Sequence, residues 1–123
     1  ACLRRVAAAE LPLQVRFVDF TRRAHAARLT EEFRAAACHA GQFETSLVLA
    51  AAPELVHDEL AADLSALPVD MARQLRAGKR TFEQMGMRRA YCGDPARGSA
   101  EEGRATYETL TRIVVEQCEQ AGW

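Results

Sequence analysis

Leu13-Gln14-Val15-Arg16-Phe17-Val18-Asp19-Phe20 is the stretch on which the fold turns. Its apolar residues alternate and then crowd together at Phe17-Val18, as in a sheet strand with a buried face. Before it, Ala1 to Glu10 is rich in helix formers, with Leu3, Val6 and Ala7 on one side, and Leu11-Pro12 breaks that run. The first helix has no capping residue ahead of it. After the strand, Thr30 stands as an N-cap, with Glu31 and Glu32 giving the first turn its favourable sign. Helix, strand, helix predicts an α/β layered domain. Asp19, near the carboxyl end of the strand, lies where open parallel sheets gather ligands. Its plainer role is to cap the loop after Phe20.

The totals fit one domain of 123 residues, 49% hydrophobic and 27% charged, with a formal net charge of -1. That charge gives no general pull toward nucleic acid or an anionic membrane. No apolar run reaches the roughly 18 residues a membrane helix needs, and the first residues do not read as a signal peptide. Cys2, Cys38, Cys92 and Cys118 form no C-x-x-C pair, which argues against a zinc ribbon or a thioredoxin-type site. They read as reduced thiols of a cytoplasmic protein. Arg22, Arg23, His25 and Arg28 make a basic stretch without a glycine-rich loop, so it reads as solvated surface.

Further along, Phe33, Ala36 and Ala37 supply the buried side of the helix that Thr30 caps. The next helix is predicted from about Glu44 to Ala52, apolar nearly all round and therefore covered on most sides. Pro53 ends it. Leu60, Leu64 and Leu67 are spaced for a further helix face that Pro68 closes. Residues 65–86 read as a charged excursion with local helix, outside the core, of the kind that forms lids or subunit contacts. Its cations Arg73, Arg76, Lys79 and Arg80 suit an anionic substrate or, preferably, a neighbouring subunit. Met87 to Cys92 is a candidate edge strand, and Gly93-Asp94-Pro95 a turn. Ser99-Ala100-Glu101-Glu102 has the form of a capping box. Behind it Tyr107, Leu110, Ile113, Val114 and Cys118 mark one face of a final helix that ends by Gly122. One good strand cannot build a sheet for so many helices, so the remaining strands are expected from elsewhere.

Chemistry concentrates at Cys38-His39-Ala40-Gly41-Gln42-Phe43-Glu44-Thr45-Ser46, a junction between an Ala-rich run and an apolar one. It holds an imidazole, a flexible Ala-Gly step and a carboxylate on what can be a rigid support. A plain helix-helix turn would have the same composition. Cys38, beside His39, is a weak candidate nucleophile, since no second acid-base group adjoins it.

His39-Ala40-Gly41-Gln42-Phe43-Glu44-Thr45-Ser46-Leu47, followed by Pro53-Glu54-Leu55-Val56, resembles the H-A/G-G-x-x-E-T-S-L block of the creatininase (creatinine amidohydrolase) family. Gly93-Asp94-Pro95 with Ser99-Ala100-Glu101-Glu102-Gly103 is similar to that family's later G-x-P and S-A-E-K/E-G block, in the same order and at a matching separation. The resemblance covers essentially the whole chain but only the C-terminal half of the family's usual length. It implies a three-layer α/β/α sandwich, of which this chain supplies the C-terminal half without an internal boundary. It also implies hydrolysis of a C–N amide-type bond of a small molecule at a centre of divalent metal ions, zinc or manganese.

On the same resemblance, His39 aligns with the family's catalytic histidine and Glu44 with the Glu of its E-T-S triplet, and no residue here matches a metal ligand. The metals are then bound by residues outside this chain, in an N-terminal half present as a separate or cleaved chain. A homo- or hetero-oligomer is the implied state. An imidazole takes up and returns a proton near neutral pH, which suits protonation of a leaving nitrogen. Glu44 can orient that imidazole, bind a polar substrate group, or simply sit on the positive end of a helix. Creatininase itself has a Trp four residues before the histidine; Ala35 stands there here, so an aromatic wall for a flat cyclic substrate is expected to be absent, which speaks against creatinine as the substrate. The rival expectations are a non-catalytic scaffold subunit that retains the fold, and a fragment of a longer polypeptide.

Overall fold

The computed structural model describes residues 17–36 and 39–122. Within them lie six α-helices: α1 (Arg23–Ala26), α2 (Glu31–Arg34), α3 (Gln42–Ala51), α4 (Asp58–Ala62), α5 (Met71–Arg76) and α6 (Ala100–Glu119). Two short 3₁₀ turns, Pro53–Leu55 and Pro95–Arg97, each begin on a proline, whose fixed φ suits a first helical position. The predicted helix at 1–10 and the first half of the predicted strand, residues 13–16, fall outside the described residues. Its last part, Phe17 to Phe20, is not a strand: Asp19 instead caps a turn through its Oδ1, which accepts from the Thr21 backbone N–H at 2.9 Å and the Thr21 hydroxyl at 2.6 Å.

The framework is the packing of α3 on α6. Helix α6 starts where its sequence signals, with the Ser99 Oγ accepting from the Glu102 backbone N–H at 3.1 Å. Gly103 and Thr106, one helical turn apart, are buried against α3, and Ile113 extends the same side. A β-carbon on Gly103 would lie 1.9 Å from the Ser46 carbonyl oxygen, so the two helix backbones meet with nothing between them. This moves part of the buried face from its predicted place. Ile113 is fully buried as expected, whereas Tyr107 and Val114, also expected inside, are 42% and 39% exposed, because small residues share the line of contact.

No strand of more than one residue occurs among the described residues. Two isolated antiparallel bridges, His39 with Cys92 and Leu67 with Gly93, tie three segments side by side. The edge strand expected at 87–92 therefore reduces to Cys92 alone, with turns at 88–89 before it. The three-layer sandwich is likewise not seen in these residues, whose regular structure is helical. The excursion at 65–86 does contribute to the core, against expectation. Val69 and Met85 join Met87 and Cys92 in a buried cluster, with Leu67 and Met71 packed on it. Its charges stay outside while its few apolar residues turn in, a pattern that average composition conceals. The helix face expected at Leu60, Leu64 and Leu67 is cut short after Ala62, and Leu67 turns out to be a bridge residue.

Candidate active site

His39 is fixed through its main chain. Its N–H donates to the Cys92 carbonyl at 3.2 Å and its carbonyl accepts from the Cys92 N–H at 2.9 Å. The imidazole lies against Phe82, with ring centroids 4.6 Å apart and planes inclined by 40°. Cys92 is fully buried, and burial pushes its thiol up to about 11, with the nearby Glu32 and Glu44 carboxylates adding to the effect. It is an inert core thiol. Cys38 lies outside the described residues.

Next to His39, Ala40 takes a left-handed φ of 50°, and Ala90 on the opposing segment a φ of 58°. Such conformations cost an L-residue with a β-carbon roughly 1–2 kcal/mol, so the tertiary contacts on either side hold them. Gly41 follows, and no larger residue fits: a β-carbon would meet the Cys92 carbonyl oxygen at 2.6 Å and the Glu32 carboxylate at 2.8 Å.

The helix start behind Gly41 decides what the carboxylates do. Glu44 Oε2 reaches back to accept from the Gly41 N–H at 3.1 Å, which is half of a capping box. Glycine has no side chain for the other half, and Glu32 replaces it from another helix. Its Oε1 accepts from the N–H of Gln42 at 3.0 Å and of Asp94 at 2.6 Å, and its Oε2 from the N–H of Phe43 at 2.8 Å. Glu102 is similarly committed, accepting from the Gln42 side-chain amide at 2.6 Å and from the Ser46 hydroxyl at 3.1 Å. The fully buried Ser46 oxygen also accepts from the Ser99 N–H at 3.0 Å. The two sequence blocks, 39–47 and 93–103, thus form one hydrogen-bonded unit.

His39 and Glu44 are both on this unit, but no hydrogen bond joins them among the described residues. Glu44 lines a cleft of about 450 Å³ together with Ala40, Val48, His57, Arg89 and Tyr91. A second cleft of about 510 Å³ holds Glu31, Glu32, Asp94, Glu102 and Arg97. Its acidity does not make it a metal centre, because Glu32 and Glu102 already face N–H and O–H donors. Among the described residues no group of three or more His, Cys, Asp or Glu is placed to hold a metal ion. The described residues do not fit such a group.

Sequence reasoning missed Phe82, Glu32 and Ser46. Phe82 supplies an aromatic ring beside His39. Ser46 carried a faint signal as a polar residue leading into an otherwise apolar helix. Glu32 carried none, since its partners are ten and more positions away.

His39, held by its main chain two residues ahead of the Gly41 N-cap of α3, lies at the junction of the two packed sequence blocks. The family model described as creatinine amidohydrolase matches residues 2–118, and the chain belongs to this creatininase family. Membership suggests an α/β fold and a metal-dependent amidohydrolase acting on a C–N bond. No curated protein and no solved structure matches the chain. No helix among the described residues is long and apolar enough to cross a membrane.

Proposed function

We propose that this chain is the proton-handling part of a creatininase-type amidohydrolase that cleaves a C–N amide-type bond of a small molecule. The observation that supports this best is His39 itself, pinned to Cys92 through two main-chain hydrogen bonds in a chain that matches the family over residues 2–118. An amide nitrogen leaves readily only when it is protonated as the bond breaks. In this reading His39 delivers that proton, and Glu44, with Oε2 on the Gly41 N–H, offers Oε1 to a polar group of the substrate.

Divalent metal ions, zinc or manganese, held by residues outside this chain would supply the Lewis-acid chemistry of such a reaction. Their ligands are assigned here to an N-terminal segment, on a separate or cleaved chain or elsewhere in the same polypeptide. That segment also contributes the remaining strands of a three-layer α/β/α sandwich. The exposed apolar residues Tyr107, Val114 and Val115 of α6 are suited to packing against them. An oligomer, formed with that segment or with further copies, belongs to the same reading.

Native purification with zinc or manganese, followed by mass spectrometry, is expected to return the chain with that segment. A folded, monomeric and unaccompanied chain would sink the assembly. In the assembled enzyme His39→Ala is expected to lower hydrolysis of creatinine or another small cyclic amide by about 10²-fold or more. The rival reading, a scaffold subunit without chemistry, draws on the use of Glu44 as a helix-end ligand, and it predicts an unchanged rate in His39→Ala.

A further inference from the structure

We infer that Phe82 is the positioning residue of His39, an inference that rests on the reading of His39 as the proton donor. Phe82 reaches the imidazole from a braced turn. Its carbonyl accepts from the Met85 N–H at 3.1 Å and the Met87 N–H at 2.8 Å, and Gly86, with φ of 83°, closes the turn between them. Met85 and Met87 are then buried beside Cys92, the residue whose main chain holds His39. Backbone and ring of His39 are therefore fixed from one cluster: Cys92 holds the former and the turn carrying Phe82 the latter.

A centroid separation of 4.6 Å lies in the range of a true aromatic contact. Among the described residues no hydrogen bond orients the imidazole, so the tilted ring contact with Phe82, with planes inclined by 40°, sets its orientation. The setting matters because a donor displaced by about 1 Å from the productive geometry can lose on the order of 10²-fold in rate. The role is carried by packing, so Phe82→Tyr preserves it and Phe82→Leu, which keeps apolar bulk but has no flat face, does not.

The test joins spectroscopy on the full chain with kinetics on the assembled enzyme. In the chain, the His39 ring protons are expected upfield of those of free histidine through the Phe82 ring current, and Phe82→Leu should abolish that displacement. In the enzyme, with the best substrate from a panel of small cyclic amides including creatinine, Phe82→Leu is expected to reduce kcat by about 10-fold or more with KM within about twofold, and Phe82→Tyr to restore kcat. His39 signals without the upfield displacement, or an unchanged kcat in Phe82→Leu beside an inactive His39→Ala, would overturn the positioning role alone. A fully active His39→Ala would overturn the proton-donor reading and the positioning role with it. A raised KM at unchanged kcat would make Phe82 a binding wall and also overturn the inference.

Discussion

Gly103 and Ser46 meet across two helices with no room for a single added carbon: a β-carbon at Gly103 would sit 1.9 Å from the Ser46 carbonyl oxygen. The obstacle is backbone, which cannot swing aside as a side chain would. Gly103→Ala is expected to destabilise the protein by about 3 kcal/mol or more, the upper range for overpacking. Urea unfolding monitored by far-UV circular dichroism measures it. A change under about 1 kcal/mol would mean that α3 and α6 do not touch in this way.

Glu32 takes three backbone N–H groups at the start of α3 and the head of the second block. Removing a charged acceptor leaves these donors unpaired in a half-buried place, a loss of about 2–3 kcal/mol. Glu32→Ala should therefore lower the midpoint of unfolding well beyond Glu31→Ala, which changes an exposed neighbour. Equal effects for the two would contradict the assigned role.

Ala40, with its left-handed backbone, lies between His39 and a glycine that cannot be replaced. Glycine at position 40 relieves the conformational cost while adding freedom to the unfolded chain, so Ala40→Gly is expected to stabilise by up to about 1 kcal/mol. Ala40→Val should destabilise, since β-branching makes that region still less accessible. Paired melting curves of the two variants give the comparison, and the opposite order would refute the strained backbone.

Stability should fall at both ends of the pH scale for separate reasons. Burial raises the Cys92 thiol to about 11 from an ordinary value near 9, so the unfolded chain releases this proton first. The contribution is complete below the ordinary value and is lost as pH climbs toward about 11. At the acid end, the paired hydrogen bonds from Arg28, at 2.6 and 3.0 Å, hold Glu116 below its ordinary value. That contribution is present above the unfolded carboxylate range and is lost as pH falls through the depressed value. Melting temperature against pH should therefore drop on both sides. Glu116→Gln should flatten part of the acid limb alone. Cys92 should also resist alkylation at pH 8 until the chain unfolds, as peptide mapping would detect.

How much of this was readable in the sequence depends on range. Thr30 and Ser99 announced their helices correctly, because a cap and its target lie three residues apart. Glu32, by contrast, looked like a first-turn acid of its own helix and serves another. Large apolar residues mark one face of α6, of which Ile113 is buried, while the closest approach to α3 is at Gly103, whose lack of a side chain lets the backbones meet. Met85 and Met87 were hidden in a charged stretch. His39 and Glu44 stand out through the pattern of their block, and Glu44 accepts from the Gly41 N–H. Phe82, 43 positions from His39 by the numbering, had no pattern to betray it.

The union of the two blocks also has a consequence in time. Ser46 and Glu102 are 56 positions apart, and Glu32 and Asp94 are 62 apart. Contacts so distant must close a long loop before any of them is rewarded, which slows their formation relative to local helices. During synthesis the junction stays incomplete until residue 102 has left the ribosome. The helix start that follows His39 is therefore made well before the contacts that complete it.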